Sequence, residues 1–174
     1  MDVITAITDD HRLMERLFAR LQSGKGDPGQ LVAEIRARLR AHSIAEEDHV
    51  YPALARREPG PTPVTGGHHG AEEHRDAEAK LAAVEAAIGT PRFAGAVEEF
   101  VEAVIQHVEE EEQDVLPSIE DAVDPDTLDE LGATFEERRI EELALAGITD
   151  TARTGQISIS ASTRGISAGI SRAR

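Results

Sequence analysis

His42-Ser43-Ile44-Ala45-Glu46-Glu47-Asp48-His49-Val50-Tyr51-Pro52 has a counterpart later in the chain, His107-Val108-Glu109-Glu110-Glu111-Glu112-Gln113-Asp114-Val115-Leu116-Pro117. In each, a histidine is followed four places on by a glutamate, a second glutamate comes next, and the run closes on Val-Tyr-Pro or Val-Leu-Pro. Four residues of α-helix advance the axis by about 6 Å and return to nearly the same face, so histidine and glutamate can aim at one point. The same spacing occurs at His11/Glu15 and His74/Glu78, and residues 11–21 align with 74–84 at a similar offset. The chain therefore reads as two related helical hairpins.

The apolar residues around these units fall at helical spacing. Ile4, Ile7, Met14, Phe18 and Leu21 alternate steps of three and four, and the one gap is filled by His11. Asp27-Pro28 reads as an N-cap with proline in the first turn, and Gln30 is placed to complete a capping box, so a second helix starts near 28. Its stripe is Ile35, Leu39, His42, Glu46, His49 and Ala53, and it ends near the proline-rich run from Pro59 to Pro63. A third stripe, His74, Ala77, Leu81, Val84 and Ile88, ends at Gly89, and Thr90-Pro91 caps a fourth, Phe93, Val97, Phe100, Val104, His107, Glu111 and Asp114. Counted from the helix ends, the histidines of each hairpin agree in depth to about one turn, so all four can share a layer.

No segment before residue 150 alternates with period two, and the expected fold class is all-α. We expect an up-down-up-down four-helix bundle over residues 1–122 and an additional helix within 123–147, packed outside and ended by Gly147. Residues 148–174 read as a disordered tail. From residue 151 on it carries four arginines and no acid, and its charge would suit docking on the acidic body or on a protein partner.

The 174 residues allow one sizeable core, and a net charge of -16 leaves no basic surface for nucleic acid or an anionic membrane. Absence of cysteine excludes disulfides, iron–sulfur clusters and thiolate metal sites, so a metal would be held by nitrogen and oxygen. The N-terminus has neither a basic nor an apolar signal region, and no run of 18 apolar residues occurs. The expectation is a cytoplasmic protein.

Polar groups in a helical core cost several kcal/mol unless paired or bound to metal. Four histidines with Glu46 and Glu111 at one depth fit two cations bridged by carboxylates from facing helices. Iron suits these ligands, and manganese and zinc stay open. The competing reading is a hydrogen-bonded polar layer without an ion. Glu78 and Glu15 lie one step off the stripes: Glu78 is a terminal ligand or an acceptor that orients a histidine, and Glu15 an orienting or surface group. His49 and Asp114 read as an ion pair near the helix ends, part of an access path or replacement ligands, while His68 and His69 read as exposed residues of a glycine loop before the third helix. Glu109, Glu110 and Glu112 read as a solvated face. Tyr51 is core packing or a phenol reaching the pocket, which from its helix position needs a bend near Pro52.

Asp10-His11-Arg12-Leu13-Met14-Glu15, His42-x-x-x-Glu46-Glu47 ending in Tyr51-Pro52, Glu73-His74-x-x-x-Glu78 and His107-Val108-Glu109-Glu110-Glu111-Glu112 ending in Leu116-Pro117 together resemble the hemerythrin-like, HHE cation-binding family over roughly residues 3–120. The Glu-x-x-His spacing of ferritin-like bundles is absent from the relevant positions. The resemblance implies a non-haem centre of two iron ions, oxo- or hydroxo-bridged, that binds or reacts with oxygen, peroxide or nitric oxide. Carried over residue by residue, its ligands are His11, His42, Glu46, His74, His107 and Glu111, with Glu78 standing where oxygen carriers have a histidine. A carboxylate there makes the centre more anionic, which favours the ferric state and points to peroxide decomposition or other redox chemistry, or to sensing, over reversible oxygen carriage.

Overall fold

A computed structural model describes residues 1–55 and 65–149, excluding the side chains of residues 55 and 65–68. The helices start where the chain's chemistry provides caps. Asp2 accepts the backbone N–H of Thr5 at 2.8 Å and opens α1, Val3–Gln22. Asp27 does the same for Gln30 at 2.8 Å, with Pro28 in the first turn, and opens α2, Pro28–Ala45. Each cap satisfies an N–H that the helix cannot pair internally.

α2 does not stop at Ala45. It passes through a π-helical turn, Glu46–Val50, into a further α-helical turn, Tyr51–Ala55. α3 spans Thr65–Ala87. α4 spans Phe93–Glu110 and repeats the device, with a π turn at Glu111–Val115 followed by Leu116–Ala122. The two π turns fall on the repeated motif, and each precedes a proline by two residues, Pro52 and Pro117. Proline lacks an N–H and its ring clashes with the carbonyl four residues back; a widened turn removes that conflict. The ladder shifts accordingly to bonds five residues apart, Tyr51 N–H to Glu46 O and Leu116 N–H to Glu111 O.

Asp124 caps α5, Pro125–Leu145, by accepting the Thr127 N–H at 3.0 Å. Gly147 ends it at φ +76°, in the left-handed region that favours glycine, and the Ile148 N–H returns to the Leu143 carbonyl at 2.9 Å. α1 to α4 form a ring in which each helix packs on the next and α4 returns to α1, while α5 lies against α1 and α2. The structure is a bundle of five helices, and no strand occurs among the described residues.

The core is two apolar blocks with a polar layer between them. One block, including Met14, Phe18, Ile35, Leu39, Leu81, Phe100 and Val104, fills one end of the bundle. The other joins Val3, Ile7, Ala45, Val50, Leu116, Ile119 and Phe135. His11 lies between Ile7 and Met14, His42 between Leu39 and Ala45, and His107 between Val104 and Leu116, so the histidines occupy the layer where the blocks meet. Phe18 and Phe100 meet edge to face, with centroids 5.4 Å apart, beneath that layer.

Two expectations change. The third helix begins at Thr65, so His69 and Gly70 are helical and do not belong to a preceding loop. The fourth begins at Phe93 after Arg92; Thr90 instead stabilises the preceding turn, its hydroxyl donating to the Ala87 carbonyl and accepting the Arg92 N–H. The tail from residue 150 on lies outside the described residues, as does the proline-rich run from Pro59 to Pro63.

Candidate metal centre

His11, His42, Glu46, His74, His107 and Glu111 are all buried, and they converge on one small volume. The Nε2 atoms of His11 and His42 are 3.3 Å apart, and those of His74 and His107 are 3.2 Å apart. The two glutamates join these pairs. Glu46 places Oε1 3.1 Å from His42 Nε2 and Oε2 3.3 Å from His74 Nε2. Glu111 Oε2 lies 3.3 Å from His11 Nε2 and 3.9 Å from His107 Nε2. Ligand-type atoms of His11, His42, Glu46 and Glu111 form one group, and those of Glu46, His74 and His107 a second, each with all atoms within 4.8 Å of one another.

Each histidine is held from behind by a carboxylate on another helix. His11 Nδ1 lies 2.9 Å from Glu112, His42 Nδ1 3.1 Å from Asp10, His74 Nδ1 3.0 Å from Glu47, and His107 Nδ1 2.8 Å from Glu73. An ionised carboxylate only accepts, so each Nδ1 donates, and in the neutral ring the Nε2 lone pair faces the shared volume. The pattern follows the chain's internal repeat. The acid before the first histidine of a hairpin, Asp10 or Glu73, holds the second histidine of that hairpin; the acid after the hairpin's glutamate, Glu47 or Glu112, holds the first histidine of the other. Successive helix residues point about 100° apart, which turns a ligand's neighbour toward the adjoining helix.

The inward atoms require a positive charge. Glu46 Oε1 and Glu111 Oε2 are buried and accept no hydrogen bond, although each lies close to imidazole nitrogens. Lone pairs of carboxylate and imidazole facing one another repel unless a proton or a cation lies between them. Without a cation, protons take that place. Burial disfavours charge on His42, but Glu46 and Asp10 outweigh it and hold the imidazole well above its usual range. Burial likewise disfavours charge on His74, and Glu46 and Glu47 raise it. Burial pushes Glu46 up, and His42 and His74 bring it well below the carboxylate range. The donor set, all nitrogen and oxygen and framed by anions, fits a cation.

Tyr51 reaches this volume. Its buried hydroxyl lies 3.3 Å from Glu46 Oε2 and 3.3 Å from Glu111 Oε1, and its ring stacks on His74 with centroids 6.1 Å apart. In a continuous α-helix, nine residues at about 100° each would put Tyr51 opposite His42. The π turn takes up one residue and brings the ring round. Burial and the two glutamates raise the phenol's pKa, so it stays protonated and donates to them. Gly70 gives the ring its space, since a Cβ there would stand 2.6 Å from the hydroxyl. At the equivalent place in the second hairpin Leu116 brings no polar group, so the pseudo-symmetric centre has one tyrosine.

Other residues lie elsewhere. Glu78 is exposed on α3 and joins neither group; being one step from the His74, Ala77 and Leu81 face, it turns to solvent. Its charge is therefore not part of the centre, contrary to the expected anionic replacement. Glu15 is half-buried and pairs with Arg12. His49 is half-buried and Asp114 exposed, because the π turns carry both off the stripes they would continue. His69 is exposed and lies 3.2 Å from Glu73 Oε1, while the side chain of His68 lies outside the described residues. Glu112 belongs behind His11 and not to a solvated face.

A helical bundle whose interior gathers four imidazoles and two carboxylates, each ring fixed by an acid, defines a metal-binding protein. The chain matches the hemerythrin HHE cation-binding domain over residues 2–119 and belongs to that family. No curated protein and no solved structure gives a match. Among the described residues no helix is long and apolar enough to cross a membrane.

Proposed function

We propose that this is a non-haem di-iron protein that reacts with a small oxidant, peroxide foremost, with oxygen and nitric oxide as further ligands of the same site. The observation that carries the reading is the placement of Glu46, one oxygen on each histidine pair, 3.1 Å from His42 and 3.3 Å from His74. A carboxylate so placed could hold two cations, one at each oxygen. His11, His42, Glu46 and Glu111 would hold one, and His74, His107 and Glu46 the other, with the long contact of Glu111 to His107 as a second bridge. Iron bound there supplies redox chemistry and an electrophilic position for a small ligand.

The protein's own contribution is positional. Asp10, Glu47, Glu73 and Glu112 fix the imidazoles, and the two apolar blocks keep bulk water from the layer. Glu78 is exposed and joins neither group, so iron held by His74, His107 and Glu46 would have fewer protein donors than iron held by the other group and could take a small ligand. Tyr51 stands beside that position with a buried hydroxyl whose one proton is shared between the two glutamates and that could hydrogen-bond a ligand held there.

The test is anaerobic loading with ferrous iron followed by separate additions of peroxide, oxygen and nitric oxide under optical observation. Catalytic consumption of peroxide with return of the starting spectrum is expected. A persistent oxygen-bound spectrum lost reversibly under vacuum, without peroxide turnover, would contradict this reading in favour of an oxygen carrier.

A further inference from the structure

α5 lies beyond the matched domain, yet it reaches the metal layer. One face of the helix carries Leu128, Leu131, Phe135, Arg139 and Leu143, at steps of three and four, with Gly132 beside Leu131. Phe135 is fully buried and meets the His42 ring edge to face, with centroids 5.7 Å apart. One turn on, Arg139 is 1% exposed, a degree of burial that a guanidinium reaches only against anions. Its Nη1 lies 3.2 Å from Asp10 Oδ1, while the other oxygen of the same carboxylate, Oδ2, lies 3.1 Å from His42 Nδ1. Arg139, Asp10 and His42 thus form a continuous buried chain from α5 through α1 to α2. Close docking holds the chain in place: a Cβ on Gly132 would stand 2.2 Å from the Met1 carbonyl oxygen. The Met1 ammonium also lies 3.1 Å from Asp129, and Arg138 lies 2.9 Å from Asp48.

The arrangement is one-sided. Arg12 pairs with Glu112, the acid behind His11, so both histidines of the first group have an arginine behind their carboxylate. Among the described residues no arginine or lysine pairs with Glu47 or Glu73, the acids behind His74 and His107, and besides His107 Glu73 meets the exposed imidazole of His69, at 3.2 Å. Asp10 is fixed by Arg139 on one oxygen and gives the other to His42 Nδ1, so the direction in which His42 Nε2 faces depends on α5. The internal repeat makes the two halves alike in ligands, and α5 makes them unlike in what stands behind those ligands.

We infer that α5 is part of the metal centre: Arg139 is a positioning residue that acts through Asp10 to set the orientation of His42, and it distinguishes the first metal position from the second. The inference rests on the dinuclear reading above. In the full chain, the metal-free protein is titrated with cobalt(II), an optical probe for both positions, and melted in parallel without metal. Arg139→Gln should weaken one of the two equivalents by about tenfold or more and shift its d–d bands, leaving the other as in the wild type. Arg139→Lys should restore most of the loss. With Asp10→Asn as background, Arg139→Gln should have no further effect on metal affinity.

Two unaltered equivalents in Arg139→Gln, two weakened in step with a lowered metal-free melting temperature, or an undiminished effect in the Asp10→Asn background would each overturn the inference. If Arg139→Gln does not fold, hydrogen exchange on the wild type decides. Loading should slow exchange across α5 together with α1 and α2; an α5 unchanged while α1 to α4 slow would count against it. A wild type that takes no second equivalent fails the dinuclear reading, whereas a wild type with two and an indistinguishable Arg139→Gln fails only this inference.

Discussion

At the scale of single residues, the centre depends on atoms that have no satisfactory neutral arrangement. Glu46 is the sharpest case, fully buried between two histidines with one oxygen lacking a hydrogen bond. Glu46→Gln keeps the shape and removes the charge that would join two cations. We predict the loss of at least one metal equivalent, read by metal analysis after desalting, while helix content by circular dichroism is retained. Tyr51 offers a gentler change. Tyr51→Phe keeps the stacked ring and removes the single donor shared between the two glutamates, so the metal-free protein should lose about 1–2 kcal/mol in denaturant unfolding. If the hydroxyl hydrogen-bonds the bound ligand, peroxide turnover by the iron-loaded variant should fall while metal stoichiometry stays at the wild-type value.

At the scale of elements, close approach between helices carries the strain. Gly132→Ala would press a methyl group into the backbone of Met1 to Val3, so the start of α1 or the whole of α5 must shift. A loss of about 1–3 kcal/mol is expected, seen as a lower melting temperature. How much of the elements was legible depended on whether one helix could reveal them. The stripes of α1 to α4 as far as Glu46 and Glu111, the cap at Asp27 and the stop at Gly147 follow from local spacing, and the structure keeps them. The π turns were not legible in that way: Glu46–Val50 and Glu111–Val115 contain no glycine and keep good helix formers, and the only sign is the proline two residues on. That one missed residue of register misplaced His49 and Asp114 and hid the approach of Tyr51. The acids behind the histidines were hidden for another reason. Asp10, Glu47, Glu73 and Glu112 each orient a ring on a different helix, so their role depends on packing. Glu78 shows the converse, a residue at the right spacing that packing turns outward.

At the scale of the whole molecule, the polar layer between two apolar blocks links folding, protons and metal. His42 and His74 have raised folded-state values, so their contribution to metal-free stability is full below their unfolded value near 6.5 and is lost as pH rises through the folded values. Glu46 and Asp10 are depressed, so theirs is present above the unfolded carboxylate values, 4.5 and 3.8, and is lost as pH falls through the folded values. Asp10 is depressed although burial opposes it, because His42 and Arg139 outweigh burial. Melting temperatures of the metal-free chain should therefore peak in mildly acidic solution and fall on both sides. Metal competes with the protons on His42 and His74, so its affinity should rise with pH until those groups are free, with proton release measurable by calorimetry.

A cation that binds only the folded chain adds about 2.7 kcal/mol at a hundredfold excess over its dissociation constant, so loading should raise the melting temperature most on the alkaline side, where protons no longer compete for His42 and His74.

The central claim is that one layer of this bundle holds two metal ions joined by Glu46 and Glu111. Anaerobic reconstitution of the full chain with ferrous iron, followed by desalting, iron analysis and Mössbauer spectroscopy after oxidation, tests it most directly. The account predicts two irons per chain, antiferromagnetically coupled in the oxidised state; one iron or fewer per chain, or two without coupling, would contradict it.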